Sequence, residues 1–149
     1  MMNLRRSPYA AAVLAIVLLS AAFGCAPATS PRSPDFAATI ARDCAPWDGP
    51  AFNVSIPVDG GGVINVSVWS EPKLPRAASF AFPDATGRIG NATYLMQSGE
   101  FETLTGTASF TRVELGTPVE GEIHLRSDTG REFAGSFKAE WLDHTPMCG

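Results

Sequence analysis

The stretch PVEGEIHLRSDTGREFAGSFKAEW, which runs from Pro118 to Trp141, decides the fold. Apolar or small residues alternate with polar ones on both sides of the sequence Ser127-Asp128-Thr129-Gly130. A period of two is typical of a strand with one buried face, and aspartate and glycine favour tight turns. The stretch therefore predicts a β-hairpin. The residues expected to face the core are Val119, Gly121, Ile123 and Leu125 before the turn, and Phe133, Gly135, Phe137, Ala139 and Trp141 after it.

The same alternation extends back along the chain to Ala51. FNVSIPV and INVSVW flank the glycine-rich turn Asp59-Gly60-Gly61-Gly62, which predicts a second hairpin. Further strands are predicted in ASFAF, NATYLM and FETLTGTASFTRVEL, and no helical periodicity interrupts them. We therefore expect an all-β fold for residues 44–149: a single antiparallel β-sandwich or small barrel of seven or eight strands. The residues expected to face the core in the second hairpin are Phe52, Val54, Ile56, Val58, Ile64, Val66 and Val68.

The first 24 residues have the layout of a secretory signal peptide. Arg5 and Arg6 precede an apolar run from Tyr9 to Leu19, and small residues follow. The run is short for a permanent transmembrane helix, which needs about 20 apolar residues, and no basic cluster follows it. We predict a signal peptide over residues 1–24.

The end of this segment, Ala22-Phe23-Gly24-Cys25, resembles the lipobox of bacterial lipoproteins. The resemblance implies cleavage before Cys25, a diacylglyceryl group on its thiol, acylation of the new amino terminus with a fatty chain such as palmitate, and attachment to a membrane. Alanine rather than aspartate at position 26 is similar to lipoproteins that are sorted to the outer membrane. The alternative is an ordinary cleavage site that leaves Cys25 as a free or disulfide-bonded thiol.

Residues 25–43 are predicted to be a lipidated cysteine followed by a spacer. APATSPRSP, residues 26–34, is too poor in apolar residues to build a core and tends to stay extended. Ser33-Pro34-Asp35 before FAATIAR is typical of a helix start, so a short helix is expected there, with a continuation of the spacer as the alternative.

The other two cysteines are expected to pair. Cys44 precedes the first predicted strand and Cys148 lies next to the C-terminus, and export to an oxidising compartment favours a disulfide. A metal site that uses His144 beside Cys148 is the alternative, but no C-x-x-C or H-x-x-x-H spacing supports it. We predict a Cys44–Cys148 disulfide, no metal site and no cofactor.

Charge and motifs argue against several function classes. Loss of Arg5 and Arg6 with the signal leaves 9 basic against 15 acidic residues, a net charge of about −6, which disfavours nucleic acid as a partner. No serine lies in a G-x-S-x-G motif, and His124 is expected to face solvent. Glu100 with Glu102, and Glu120 with Glu122, are interpreted as a solvated acidic face rather than glycosidase pairs.

Ser98-Gly99 followed by Phe101 is similar to the serine-glycine loop of membrane-bound lysozyme inhibitors of the C type. The spacing differs by one residue and no Lys-Gly element follows, so no inhibitory role is assigned to Ser98. We expect a monomeric, non-enzymatic binding or structural module of the bacterial envelope. It would be anchored through Cys25, with an envelope protein or a glycan as partner. A periplasmic enzyme inhibitor of the lysozyme-inhibitor type is the alternative.

Overall fold

A computed structural model describes residues 35–148, and the predicted signal peptide, Cys25 and most of the predicted spacer lie outside them. The described part is all-β and contains eight strands and no helix. The strands are β1 Phe36–Cys44, β2 Pro50–Val58, β3 Gly62–Val68, β4 Ala78–Phe82, β5 Gly90–Leu95, β6 Phe101–Phe110, β7 Val119–Ser127 and β8 Glu132–Trp141.

Seven of the strands close into a barrel, and β4 adds one more to its wall. The order around the ring is β6, β5, β3, β2, β1, β8 and β7, and β7 pairs with β6 to close it. One edge of β6 is shared, because Phe101–Thr103 pair with β5 and Gly106–Phe110 pair with β4. The expected all-β fold is confirmed, and of its two predicted forms the chain adopts the barrel.

One pair of strands departs from the expected antiparallel arrangement. A closed ring with an odd number of strands cannot alternate in direction at every junction, so at least one junction must be parallel. Here β1 and β8 run parallel, with Phe36 beside Phe137 and Ile40 beside Trp141, and the other six junctions are antiparallel.

The segment predicted to be a short helix is instead the first strand. β1 buries Ala38 and Ile40 and turns Ala37, Thr39 and Ala41 outward. The i, i+4 spacing of Phe36 and Ile40 also places both residues on one face of a strand, so the spacing could not distinguish helix from strand. Pairing with β2 on one side and β8 on the other decides the outcome, and the barrel begins at Phe36 rather than at Cys44.

Side chains fill the interior of the barrel. Phe110 makes edge-to-face contacts with Phe52 and Phe137, at ring-centroid distances of 5.5 and 5.8 Å. A barrel of about eight strands or fewer has an interior that side chains can fill, and here aromatic and branched residues fill it. The predicted alternation is confirmed in both hairpins: Phe52, Val54, Ile56, Ile64, Val66, Val68, Val119, Ile123, Leu125, Phe137 and Ala139 are all buried.

The two ends of the barrel differ in their connections. At the end where β1, β3, β6 and β8 finish, which we call the loop end, lie segments 45–49, 69–77 and 111–118 and the tail from Leu142. At the opposite end, the turn end, the connections 59–61, 96–100 and 128–131 are short, and β1 begins there. Segment 83–89 returns β4 to the start of β5 at the loop end.

The predicted disulfide joins the end of the first strand to the C-terminal tail. Cys44 ends β1 and bonds to Cys148 across 104 residues of sequence, with the two Cα atoms 5.6 Å apart. The tail is also held by a hydrogen bond from the Leu142 amide to the Ile40 carbonyl. Within residues 35–148, no helix is long and apolar enough to cross a membrane.

Candidate functional site

A groove of about 400 Å³ opens at the loop end between the β3–β4 and β6–β7 connections. This volume lies in the range of small-molecule sites. Valine, leucine and two prolines form its apolar part, and four charged side chains border it. The lining residues are Glu71, Pro72, Lys73, Pro75, Arg112, Val113, Glu114 and Leu115.

Local backbone pairing positions the two walls of the groove. Pro72 and Pro75 prevent the β3–β4 connection from continuing as a strand. Between them, Leu74 pairs with Val113 through two backbone hydrogen bonds of 2.9 Å. The predicted strand FETLTGTASFTRVEL therefore ends at Phe110, and its last residues form the second wall.

The end of β8 supports the second wall from behind. The indole Nε1 of Trp141 donates a hydrogen bond of 2.9 Å to the carbonyl oxygen of Glu114. Trp141 is half-buried and packs against the core, and this packing holds its ring in position for the hydrogen bond. The position of Glu114 in the groove thus depends on the barrel and not on the loop alone.

The groove is bordered by two cations and two anions. Arg112 and Glu114 form an ion pair on one wall, and both side chains are largely exposed. Glu71 and Lys73 lie on the other wall. An exposed ion pair adds little stability because water screens it, so both groups can exchange this partner for a ligand. The two positive and two negative charges balance, which favours a ligand that is either zwitterionic or uncharged.

The groove combines apolar and charged side chains. Four of its eight lining residues are apolar and four are charged. An apolar floor with a few polar groups at its border is the usual composition of a binding cleft.

Two other tryptophans lie at the same end of the barrel. Trp47 in the β1–β2 connection and Trp69 after β3 meet edge to face at a centroid distance of 5.3 Å. The Trp69 amide donates to the carbonyl of Ile89, which links this pair to the β4–β5 connection. All three tryptophans of the chain therefore lie at the loop end.

Asp84 organises the β4–β5 connection. Its carboxylate accepts hydrogen bonds from the Thr86 hydroxyl, the Thr86 amide at 2.9 Å and the Ile89 amide at 3.2 Å. The pKa of Asp84 is lowered, first by the Thr86 hydroxyl and then by backbone amides, because each of these donors stabilises the charged form. Asp84 is thus a turn aspartate whose hydrogen bonds stabilise its own loop.

The turn end is closed by a polar cluster that sequence reasoning missed. Glu102 faces inward on β6, and its side chain is only 15% exposed. Its carboxylate accepts a hydrogen bond from the Thr129 hydroxyl at 3.1 Å, while the Arg131 guanidinium lies 5.4 Å from the centre of the Tyr94 ring. Tyr94 in turn contacts Phe133. The cluster closes this mouth of the barrel, so a ligand has to bind outside the filled interior.

The acidic residues and histidines named from the sequence do not assemble into a catalytic site. His124, Glu120 and Glu122 are exposed on the outside of β7, as expected. Glu100 and Glu102 differ, because Glu100 is exposed in a turn whereas Glu102 faces inward. His144 is exposed in the C-terminal tail. Among residues 35–148, no three His, Cys, Asp or Glu side chains are grouped as metal ligands.

Ser98 lies in the turn between β5 and β6. Its hydroxyl donates to the Glu100 carboxylate at 3.2 Å, and the residue is exposed at the turn end. Ser98 is therefore at the opposite end of the barrel from the groove.

Asparagine and serine side chains form a hydrogen-bonded network on the outside of β2 and β3. Asn53 Nδ2 donates to Ser67 at 2.8 Å, and Ser55 donates to Asn65 at 2.8 Å. These residues belong to the segments Asn53-Val-Ser55 and Asn65-Val-Ser67. Their alternation with buried residues along the strands places them on the outer face.

The proline-flanked groove could have been found only in part from the sequence. SEPKLPRA, residues 70–77, marks a loop with mixed charge, but its pairing with Val113 requires the closed barrel. No protein-family model, curated protein sequence or solved structure matches the chain.

Proposed function

We propose that this chain is a lipid-anchored lipoprotein of the bacterial envelope that binds a partner in the loop-end groove and catalyses no reaction. The observation that carries the proposal is the division of the barrel into two ends. The groove and all three tryptophans lie at the loop end, whereas β1 begins at the turn end. An anchor at Cys25 would join the barrel at the turn end through residues 26–35.

The lipobox-like Ala22-Phe23-Gly24-Cys25 supports the anchor. Pairing of Cys44 with Cys148 leaves Cys25 as the odd cysteine of the exported chain. A diacylglyceryl group on Cys25 would remove the unpaired thiol that an oxidising compartment disfavours. Two or three acyl chains hold a protein on a membrane far more firmly than one chain does.

The partner proposed for the groove is an envelope protein or a glycan. The floor formed by Val113, Leu115 and the two prolines offers apolar contact, and the balanced charges can bind groups of either sign. An exposed peptide segment or a peptide-bearing glycan combines these features. The proposal includes no cofactor, and the protein is expected to act as a monomer.

Site-specific photocrosslinking tests the groove. A photoreactive residue in place of Leu115, expressed in the intact envelope, should give one discrete adduct that Arg112→Glu weakens. The same residue in place of Arg126, which is exposed on the outside of β7 near the turn end, is the matched control. Equal adducts at both positions, or none at Leu115, would contradict binding in the groove.

A second candidate is an inhibitor of an envelope hydrolase of the lysozyme type. The net charge of the mature chain, about −6, favours a basic enzyme as partner. A lysozyme-protection assay with the unaltered protein tests it. No protection by the unaltered protein would exclude this candidate without affecting the groove.

A further inference from the structure

The outer wall formed by β2, β3, β5 and the start of β6 contains no charged side chain. We call it the neutral wall and define it by its outward-facing residues. The strand register aligns these residues in three rows that run across the strands. By contrast, the outward residues of β7 include Glu120, Glu122, His124 and Arg126. The rows of the neutral wall are Pro57–Val63–Leu95–Phe101, Ser55–Asn65–Thr93–Thr103 and Asn53–Ser67–Asn91.

The first of these rows is entirely apolar, and we call it the apolar row. It crosses four strands at the turn end without a polar interruption. Phe101 is 72% exposed and Leu95, its cross-strand neighbour, is 40% exposed. Scattered exposed apolar residues are ordinary, but a continuous row that includes an exposed phenylalanine is typical of an interaction surface.

The apolar row lies next to the point where the chain enters the barrel. Thr39 of β1 pairs with Ser55 of β2, and this register brings Ala37 beside Pro57, the first residue of the row. The N-terminal chain therefore reaches the barrel one strand away from the row.

We propose that the apolar row is a membrane-docking surface, with the interface of a bilayer of uncharged lipid headgroups as its occupant. Phenylalanine and leucine partition into the headgroup and acyl-chain boundary, and the hydroxyl and amide rows behind them suit the hydrated headgroup layer. The net acidic chain would be repelled by an anionic surface, and the neutral wall turns no acid toward the lipid. Asp59 and Glu100 are exposed in the two turns beside the row.

This surface goes beyond the proposed anchoring, because it does not require an acyl group. The test uses the full mature chain, residues 25–149, with Cys25→Ser, so that no lipid can be attached. Flotation with phosphatidylcholine vesicles should recover the protein with the lipid. The double variant Leu95→Ser with Phe101→Ser should lower the partition coefficient about tenfold, as expected for the loss of two partly inserted side chains.

The matched control is Ile89→Ser with Leu142→Ser, because these two apolar residues are 38% and 51% exposed at the loop end. They should leave flotation unchanged, and phosphatidylglycerol vesicles should bind the unaltered chain less well than phosphatidylcholine vesicles. Failure of the unaltered chain to float, or an equal loss in the control, would overturn the proposal. A dimer in sedimentation that depends on Phe101, without vesicle binding, would assign the row to a second copy instead. An unmodified Cys25 in cells would contradict the anchor but not the docking surface.

Discussion

The indole nitrogen of Trp141 donates a hydrogen bond of 2.9 Å to the carbonyl oxygen of Glu114, which joins the last strand of the barrel to the groove. Trp141 is also the final residue of the hairpin pattern that predicts the fold. One side chain thus ends the core-facing alternation and fixes a wall of the candidate site.

Trp141→Phe should loosen this wall while it preserves most of the packing. Loss of the indole donor leaves the Glu114 carbonyl without this partner, at a cost of about 1 kcal/mol in the free energy of unfolding. Amide exchange in residues 112–116 should speed up, as measured by mass spectrometry. Trp47→Phe, in the β1–β2 connection of the same end, is the control and should leave exchange in that segment unchanged.

Reduction of the Cys44–Cys148 disulfide should destabilise the barrel strongly. The bond closes a loop with a sequence separation of 104 residues, and the chain-entropy model gives about 4 to 5 kcal/mol for a loop of that length. Denaturant unfolding of Cys44→Ala with Cys148→Ala should show this loss relative to the oxidised protein. Identical midpoints for the two forms would show that the tail contributes nothing to stability.

Phe110→Ala should cost about 3 to 5 kcal/mol in the free energy of unfolding, the range for a buried phenylalanine. Its ring contacts Phe52, Phe80 and Phe137, so the deletion opens a cavity at the centre of the barrel. Phe101→Ala removes the same atoms from an exposed site and should change stability by less than about 0.5 kcal/mol. Similar losses for both variants would contradict the inside and outside faces assigned to β6.

Asp84 should make the β4–β5 connection sensitive to acid. Its pKa in the folded protein is lowered from the ordinary value of 3.8, chiefly by the Thr86 hydroxyl. The charged Asp84 carboxylate therefore stabilises the folded protein fully above pH 3.8. This stabilisation is lost as the pH falls through the lowered pKa of Asp84 in the folded state. An NMR titration should give the Asp84 carboxyl a pKa below 3.8. The Thr86 and Ile89 amides should lose their protection from hydrogen exchange in the same pH range. A carboxyl that titrates above 3.8 would contradict these contacts.

The hairpins and the core could be predicted from the sequence because alternation reports directly which face of a strand is buried. Val54, Ile64 and Ile123 follow that pattern without exception. The helix predicted after Pro34 was wrong because Phe36 and Ile40 fit both periods and only pairing with β2 and β8 decides between them.

The groove and the apolar row depend on contacts between residues far apart in sequence. Leu74 meets Val113 across 39 positions, and Phe101 aligns with Pro57 only through two intervening strands. No local pattern encodes such contacts, because they arise from strand order and register. The acidic pair Glu100 and Glu102 illustrates the same limit. The sequence pattern predicts one solvated face for both residues, whereas Glu100 lies in a turn and Glu102 lies in β6, where its register with Tyr94 directs its side chain inward.

Intact-mass and peptide mass spectrometry of the protein extracted from bacterial envelopes tests the central proposal most directly. We predict a mature chain that begins at Cys25 and carries the mass of a diacylglyceryl group on its thiol, with a further acyl chain on its amino group. A mature chain with an unmodified Cys25 thiol, or one cleaved at another position, would contradict a lipid-anchored barrel.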